Sequence, residues 1–536
     1  MRPLVLVRGF GGPSVTDEQA STYQGFNDGS VYPGRRGDNY IYEGFVLRAM
    51  KSERYPYRDA TNVVGYYAED VPAPPDPMGF ADDIVKGSVV LDPPVAKRIL
   101  ERGVNGTMWI YRYYDLKPRA IVRYGQGLAR LIDIIRQGAE RRGEAFAGVD
   151  IVAHSMGGLI VRTALRHMKD NGIDTLAHVH RVVTLGAPHR GIAFQRLPRW
   201  LVDAIPGVRD AGDEVAAFDP NGTEFLDIER CFDPRRVLTV VGTDHRGYGV
   251  RVSSTANRIA TLFDEGTLAH NHSDGLVKQS SAQLPGSPRT FVHKCHGGYD
   301  SLVTSREAYE IAMRFLHGTH RVRLWLDAAE VSRGGDFFSR SEFYLGVSIK
   351  PRYVDFELFH QSPPAENCYG PFHDPRLTDD LPDLKSALRE PLADADDAMG
   401  GWAGPHRLVW EGWLDARNAP AGRGDVVFRM DVYVGERDSF GIGFSDNVVF
   451  RKQYYIQALL QDGPPDLFVH TGEQHLGAKD PADRRELEAL AGTQATADVQ
   501  RAQPATRPDE WTFHTAGTGF TATWRIALER EPADRG

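Results

Sequence analysis

Apolar residues along this chain follow two different grammars. Up to about residue 320, short continuous apolar runs alternate with helical stripes. Leu4–Val7, "MWIYRYYD" (108–115), "GVDIVAHS" (148–155), "VHRVVTLGAP" (179–188), "RRVLTVVGT" (235–243) and "RTFVHKCH" (289–296) read as strands buried on both faces. Between them, Leu128, Leu131, Ile132 and Ile135, then Val161, Ala164, Leu165 and Met168, then Ala308, Ile311, Ala312 and Phe315 recur at helical spacing. This alternation predicts an α/β fold, a doubly wound and mostly parallel sheet covered by helices on both faces.

Beyond residue 320 the period becomes two. Val322, Leu324 and Leu326 alternate with polar neighbours, as do Phe343 to Ile349, Phe428 to Val434 and Ala522 to Leu528. Several half-buried antiparallel strands of this kind predict an all-β, sandwich-like second domain. The expected division is therefore 1–319 and 320–536. The stretches 362–406 and 476–510 read as solvated loops, the second part helix, and 14–107 and 192–234 read as insertions in the first domain.

Composition narrows the class. The 536 residues carry 63 basic and 72 acidic side chains, a net charge of −9, so no basic footprint for nucleic acid exists in bulk. No stretch reaches the roughly 18 apolar residues of a membrane span. The opening apolar run is interrupted by Arg8, unlike a secretory leader, and the three cysteines (Cys231, Cys295, Cys368) fit reduced thiols. The expectation is a cytoplasmic, disulfide-free protein.

The candidate chemistry starts at "DIVAHSMGGLIV". A buried strand, a serine between small residues and a striped helix make a nucleophile elbow, with Ala153 and Gly157 two residues either side of Ser155. Such an elbow takes one oxyanion donor from the residue after the nucleophile, Met156, and another from a loop after an earlier strand. "RGFGG" after Leu4–Val7 fits that loop, with Phe10 as the second donor. A dinucleotide reading of the same glycines fails on Ser14, which stands where the fingerprint needs glycine.

In this fold the acid and base follow the serine. His296 sits at the exit of the last strand, with His293 as the alternative inside it. For the acid, Asp244 directly follows a strand, whereas Asp274 lies in a Ser-, Asn- and Gly-rich turn before the base strand; the turn context favours Asp274. His270, His272 and Asp274 also have a metal-like spacing, but Gly275 stands where a further ligand would extend it, and no metal or other cofactor is expected. Cys295, the strand neighbour of His296, should point to the opposite face.

Together "AHSMGG", "TLGAPHRG", "DGLVKQSSAQL" and "CHGGYDSL" resemble the lipase and esterase branch of the α/β-hydrolases over roughly 1–320. The resemblance implies a nucleophile at Ser155, an acid at Asp274, a base at His296 and oxyanion donors at Phe10 and Met156. It departs at Arg8, where the family usually has histidine; arginine there orients the loop or meets a substrate anion. "FQRLPRWLVDAIPG" puts Trp200 and Leu201 on an apolar helical stripe, as in a lid over an acyl pocket or a helix packed on the core. The expected activity is hydrolysis of a small-molecule or lipid carboxylic ester through an acyl-enzyme, with transient membrane-surface contact. The alternatives are acyl transfer by the same triad and a non-catalytic binding module.

Overall fold

The computed structural model describes residues 1–9, 26, 30–31, 40–41, 43–52, 55, 61–64, 103–113, 120–191, 228–245, 272–298, 300–331, 341–373, 402–404, 406–419, 424–438, 447–460, 463–472, 482–492 and 497–532. Phe10, Trp200, Leu201, His270 and most of the two insertions expected in the first half lie outside them. The chain divides into two compact units. The first comprises Met1–Ser287, His293–Ala312 and Asp534–Gly536; the second comprises Pro288–Val292 and Met313–Ala533.

In the first unit the strands run in the spatial order Thr61–Val64, Met108–Arg112, Leu4–Val7, Val149–His154, Val179–Leu185 and Val237–Gly242. Every pairing among them is parallel. Leu4–Val7 lies in the middle, with Leu4 opposite both Met108 and Asp150. All four of its residues are buried, as are all six of Val149–His154. Burial on both faces explains why these strands show no alternation.

Two long helices cover this sheet. Ile121–Arg141 buries Leu128, Leu131, Ile132 and Ile135, while Asp133 pairs with Arg130 and Arg136 on its outer side. Met156–Asp170 buries Leu159, Ile160, Val161, Ala164, Leu165 and Met168. Both end where a glycine enters the left-handed region, Gly143 (φ 67°) and Gly172 (φ 72°). Each large apolar side chain so buried contributes about 1.5–3 kcal/mol. Among the described residues no helix is long and apolar enough to cross a membrane.

The second unit is antiparallel. One sheet runs Leu408–Leu414, His320–Val331, Phe520–Arg530, Glu510–Gly517, Gln503–Pro504; the other runs Phe359–His360, Ser341–Pro351, Asp425–Asp438, Asn447–Leu459, Asp466–His470, Val499–Arg501. The alternating residues Val322, Leu324, Phe343, Val347, Met430, Val432, Trp524 and Ile526 are all buried. Side chains of the two sheets meet at Trp410 and Phe428 (5.7 Å between ring centres) and at Phe450 and Phe520 (5.0 Å). The stretches expected to be solvated loops differ in part: Tyr369–His373 pairs with Ser341–Pro351 and Val499–Arg501 is a strand, while the part of 476–510 read as helix holds the helix Ala482–Leu490. Of that helix, Leu487 is buried while its neighbours from Arg485 to Leu490 are exposed, so it shows no apolar stripe.

Candidate active site

Ser155 ends the strand Val149–His154 and caps the helix Met156–Asp170. Its backbone is left-handed, φ 54° and ψ −128°. For a residue with a Cβ this costs about 1–3 kcal/mol, so the surroundings must impose it. They do so from both sides: the Ser155 amide donates to the Leu185 carbonyl (2.9 Å) and the Gly158 amide donates to the Ser155 carbonyl (3.0 Å). A Cβ on Gly157 would stand 2.5 Å from the Val7 carbonyl oxygen and 2.7 Å from that of Arg8. Glycine alone lets the helix start this close to the central strand.

The three residues of the expected relay come together within the first unit. His296 Nε2 lies 2.9 Å from Ser155 Oγ, and His296 Nδ1 lies 2.8 Å from Asp274 Oδ2. All three side chains are buried, at 5%, 3% and 1% exposure for Ser155, His296 and Asp274. A carboxylate only accepts, so Nδ1 carries the ring proton and the Nε2 lone pair faces the serine hydroxyl. The other carboxylate oxygen, Oδ1, accepts from the amides of Leu276 (3.1 Å) and Val277 (2.8 Å). The His296 amide donates to the Asp274 carbonyl at 2.8 Å, tying the two loops together. Gly186 (φ 55°) passes beside the pair: a Cβ there would fall 2.8 Å from Asp274 Oδ2.

Other sequence candidates fall elsewhere. His293 Nδ1 bonds with Thr243 Oγ1 at 3.1 Å. The Asp244 amide donates to the Lys294 carbonyl (3.2 Å), while the carboxylate on His296 is that of Asp274. Cys295 is buried, its Sγ donating to the carbonyls of Gly297 (3.2 Å) and Asp300 (3.0 Å). Burial, with the charges of Asp244, Asp274 and Asp300 adding, pushes its thiol up to about 12, far from a reactive thiolate. Among the described residues no cluster of metal-ligating side chains occurs, and both Asp274 oxygens already have protein partners. Met156 is the first residue of its helix, where amides lack intrahelical partners. Arg8 is 1% exposed, and its carbonyl and that of Gly9 accept from the Tyr113 hydroxyl (3.0 and 2.7 Å).

Sequence reasoning missed His154, the residue before the serine. Its ring lies against His296, 4.8 Å between centres and tilted 39°, and its Nε2 stands 2.9 Å from the His296 carbonyl oxygen. Burial, with the neighbouring His296 and Arg8 charges adding, holds its protonation well below the ordinary histidine range. The identity of residue 154 as histidine was visible beside the elbow; its partner 142 residues away was not.

Comparison with known proteins bears on this region. No curated protein sequence matches the chain. Two solved structures similar to it are phospholipase PlaB from Legionella pneumophila and the same phospholipase in complex with thio-NAD. Each is 12% identical and spans 66% of this chain; they are covered over 87% and 85% of their own lengths, with TM-scores of 0.28 and 0.27. Residues 124–204, which include Ser155, the helix Met156–Asp170 and most of the helix Ile121–Arg141, match the model of the family described as "Putative serine esterase (DUF676)".

Proposed function

We propose that this protein is a serine hydrolase of carboxylic esters, of the lipase and esterase type, working through an acyl-enzyme on Ser155. The observation that carries the proposal is the contiguous relay Asp274–His296–Ser155, with both hydrogen bonds under 3 Å and the serine on a left-handed bend. The esterase family match over 124–204 supports it independently.

In this reading Ser155 Oγ attacks the ester carbonyl as His296 Nε2 takes its proton. Asp274 fixes the ring tautomer and stabilises the imidazolium that forms. Negative charge growing on the carbonyl oxygen meets the Met156 amide at the helix N-terminus, with Phe10 as the second donor. His296 then protonates the departing alkoxide, leaving the acyl-enzyme. A water molecule, deprotonated by the same imidazole, releases the acid and restores Ser155. The substrate is an acyl ester with a lipophilic chain.

The test is labelling by a fluorophosphonate together with cleavage of p-nitrophenyl esters of increasing chain length. The parent protein is expected to label and to cleave, and Ser155→Ala to do neither. Cleavage undiminished in Ser155→Ala would end the proposal. Added acceptor alcohols should leave the free acid as the main product; esters of the added alcohol as main product would make the protein a transferase.

A further inference from the structure

We propose that His154 is a positioning residue: its ring, set between Gly9 and His296, holds the loop that carries the base in line with Ser155. The inference rests on the reading of Ser155, His296 and Asp274 as a nucleophile relay.

Besides its contact with Ser155, His296 is held by Asp274 and by His154. Two bonds come from Asp274, through its backbone carbonyl on the His296 amide and through its carboxylate on Nδ1, both 2.8 Å. A further one comes from His154, whose Nε2 donates to the His296 carbonyl at 2.9 Å. Asp274 therefore orients the imidazole relative to the acid loop, while His154 ties the same residue to the nucleophile strand. His154 suits this task because its own place is fixed: it pairs with Leu185 at the last rung of the parallel ladder and is the covalent neighbour of Ser155.

The far side of the ring is filled as well. A Cβ on Gly9 would lie 3.1 Å from His154 Nδ1 and 2.6 Å from Ser155 Cβ, so the exit of the central strand closes over both residues. One side chain thus bonds to the base loop at one edge, and its other edge faces the space where a side chain on Gly9 would stand. A carbonyl facing Nε2 requires that nitrogen to carry the proton. Burial favours the neutral ring, and the charged or titratable groups that act on it, His296 and Arg8, push the same way; the hydrogen bond to the His296 carbonyl works in the opposite sense. A neutral neighbour leaves room for the positive charge that His296 takes up during reaction.

The experiment uses the full chain and a saturable fluorophosphonate, which separates the binding constant KI from the rate constant kinact. In His154→Phe, which fills the space without a donor, kinact should fall about 10–100-fold, the scale of a misplacement near 1 Å, with KI unchanged. His154→Gln, whose amide N–H reaches about as far as Nε2, should restore most of the rate. His154→Asn, too short to reach the carbonyl, should be slow; the Gln and Asn pair makes the same comparison should the Phe variant not fold. A merely structural role would lower the amount of protein that labels and leave kinact as it was. Parent-like kinact in the Phe and Asn variants, or a Gln variant as slow as Asn, overturns the inference while the labelled parent keeps the nucleophile reading intact. A parent that does not label brings down both.

Discussion

Two buried polar networks, one in each unit, end in different ways. In the second, Arg352 forms two hydrogen bonds with Asp425 (2.9 and 3.0 Å), Gln457 donates to the same carboxylate (2.9 Å), and His470 lies 3.3 Å from Gln457. Asp425, Gln457 and His470 sit on strands and Arg352 on the turn after Ser341–Pro351, and the four side chains bond with one another. In the first unit the buried polar groups Asp274, His296, His154 and Ser155 converge on one hydroxyl, and that hydroxyl is on a strained backbone. The network of the second unit ends in itself, and that of the first ends on the hydroxyl proposed as the nucleophile.

The sharpest way to break this comparison is Ser155→Ala. Turnover should drop about 10⁶-fold while the thermal unfolding midpoint stays within a few degrees, a separation that calorimetry and ester kinetics read directly. Next comes the acid. Asp274→Asn should reduce turnover about 10⁴-fold by disturbing the imidazole tautomer, and Asp244→Asn should change it by less than tenfold; the reverse ranking would move the acid to Asp244. The matching change in the second unit is Asp425→Ala, which leaves Arg352, only 10% exposed, without its carboxylate. Unfolding by denaturant should show a loss of about 3–5 kcal/mol in that unit, with fluorophosphonate labelling of Ser155 preserved.

The smallest expected effect is on acid stability. Burial lowers the protonation of His154 and His189 well below the ordinary value of 6.5. The unfolded chain binds those protons near 6.5 and the folded chain does not, so stability falls as pH drops below about 6.5. The slope is roughly 1.4 kcal/mol per pH unit for each histidine. Melting at pH 7.5 and 5.5 measures it, and His189→Asn should flatten the difference; an unchanged slope would mean His189 titrates normally.

Much of the first unit was legible because its signals are local. The elbow, the stripes of the two helices and the turn around Asp274 each lie within about a dozen residues. The Asp274 turn is readable for a physical reason: its carboxylate accepts from amides two and three residues on, which is the interaction that selects aspartate in such a turn. Other features had no local trace. All seven residues of Leu408–Leu414 are buried, so that strand lacks the period of two found in its neighbours. In Asn447–Leu459 the alternation is blurred because Val448 is 53% exposed. The contact between His154 and His296 is set by the topology of the sheet, and no spacing encodes it.

The central place of Leu4–Val7 has a consequence for biogenesis. During synthesis this greasy tetrapeptide leaves the ribosome long before either of its partners, Met108–Arg112 and Val149–His154, has been translated. Until then its amides and carbonyls hydrogen-bond only to water or to whatever strand comes by, which is the state that chaperones recognise and aggregates recruit. A strand that lies beside the Ser155 bend is thus made well before the partners that secure it.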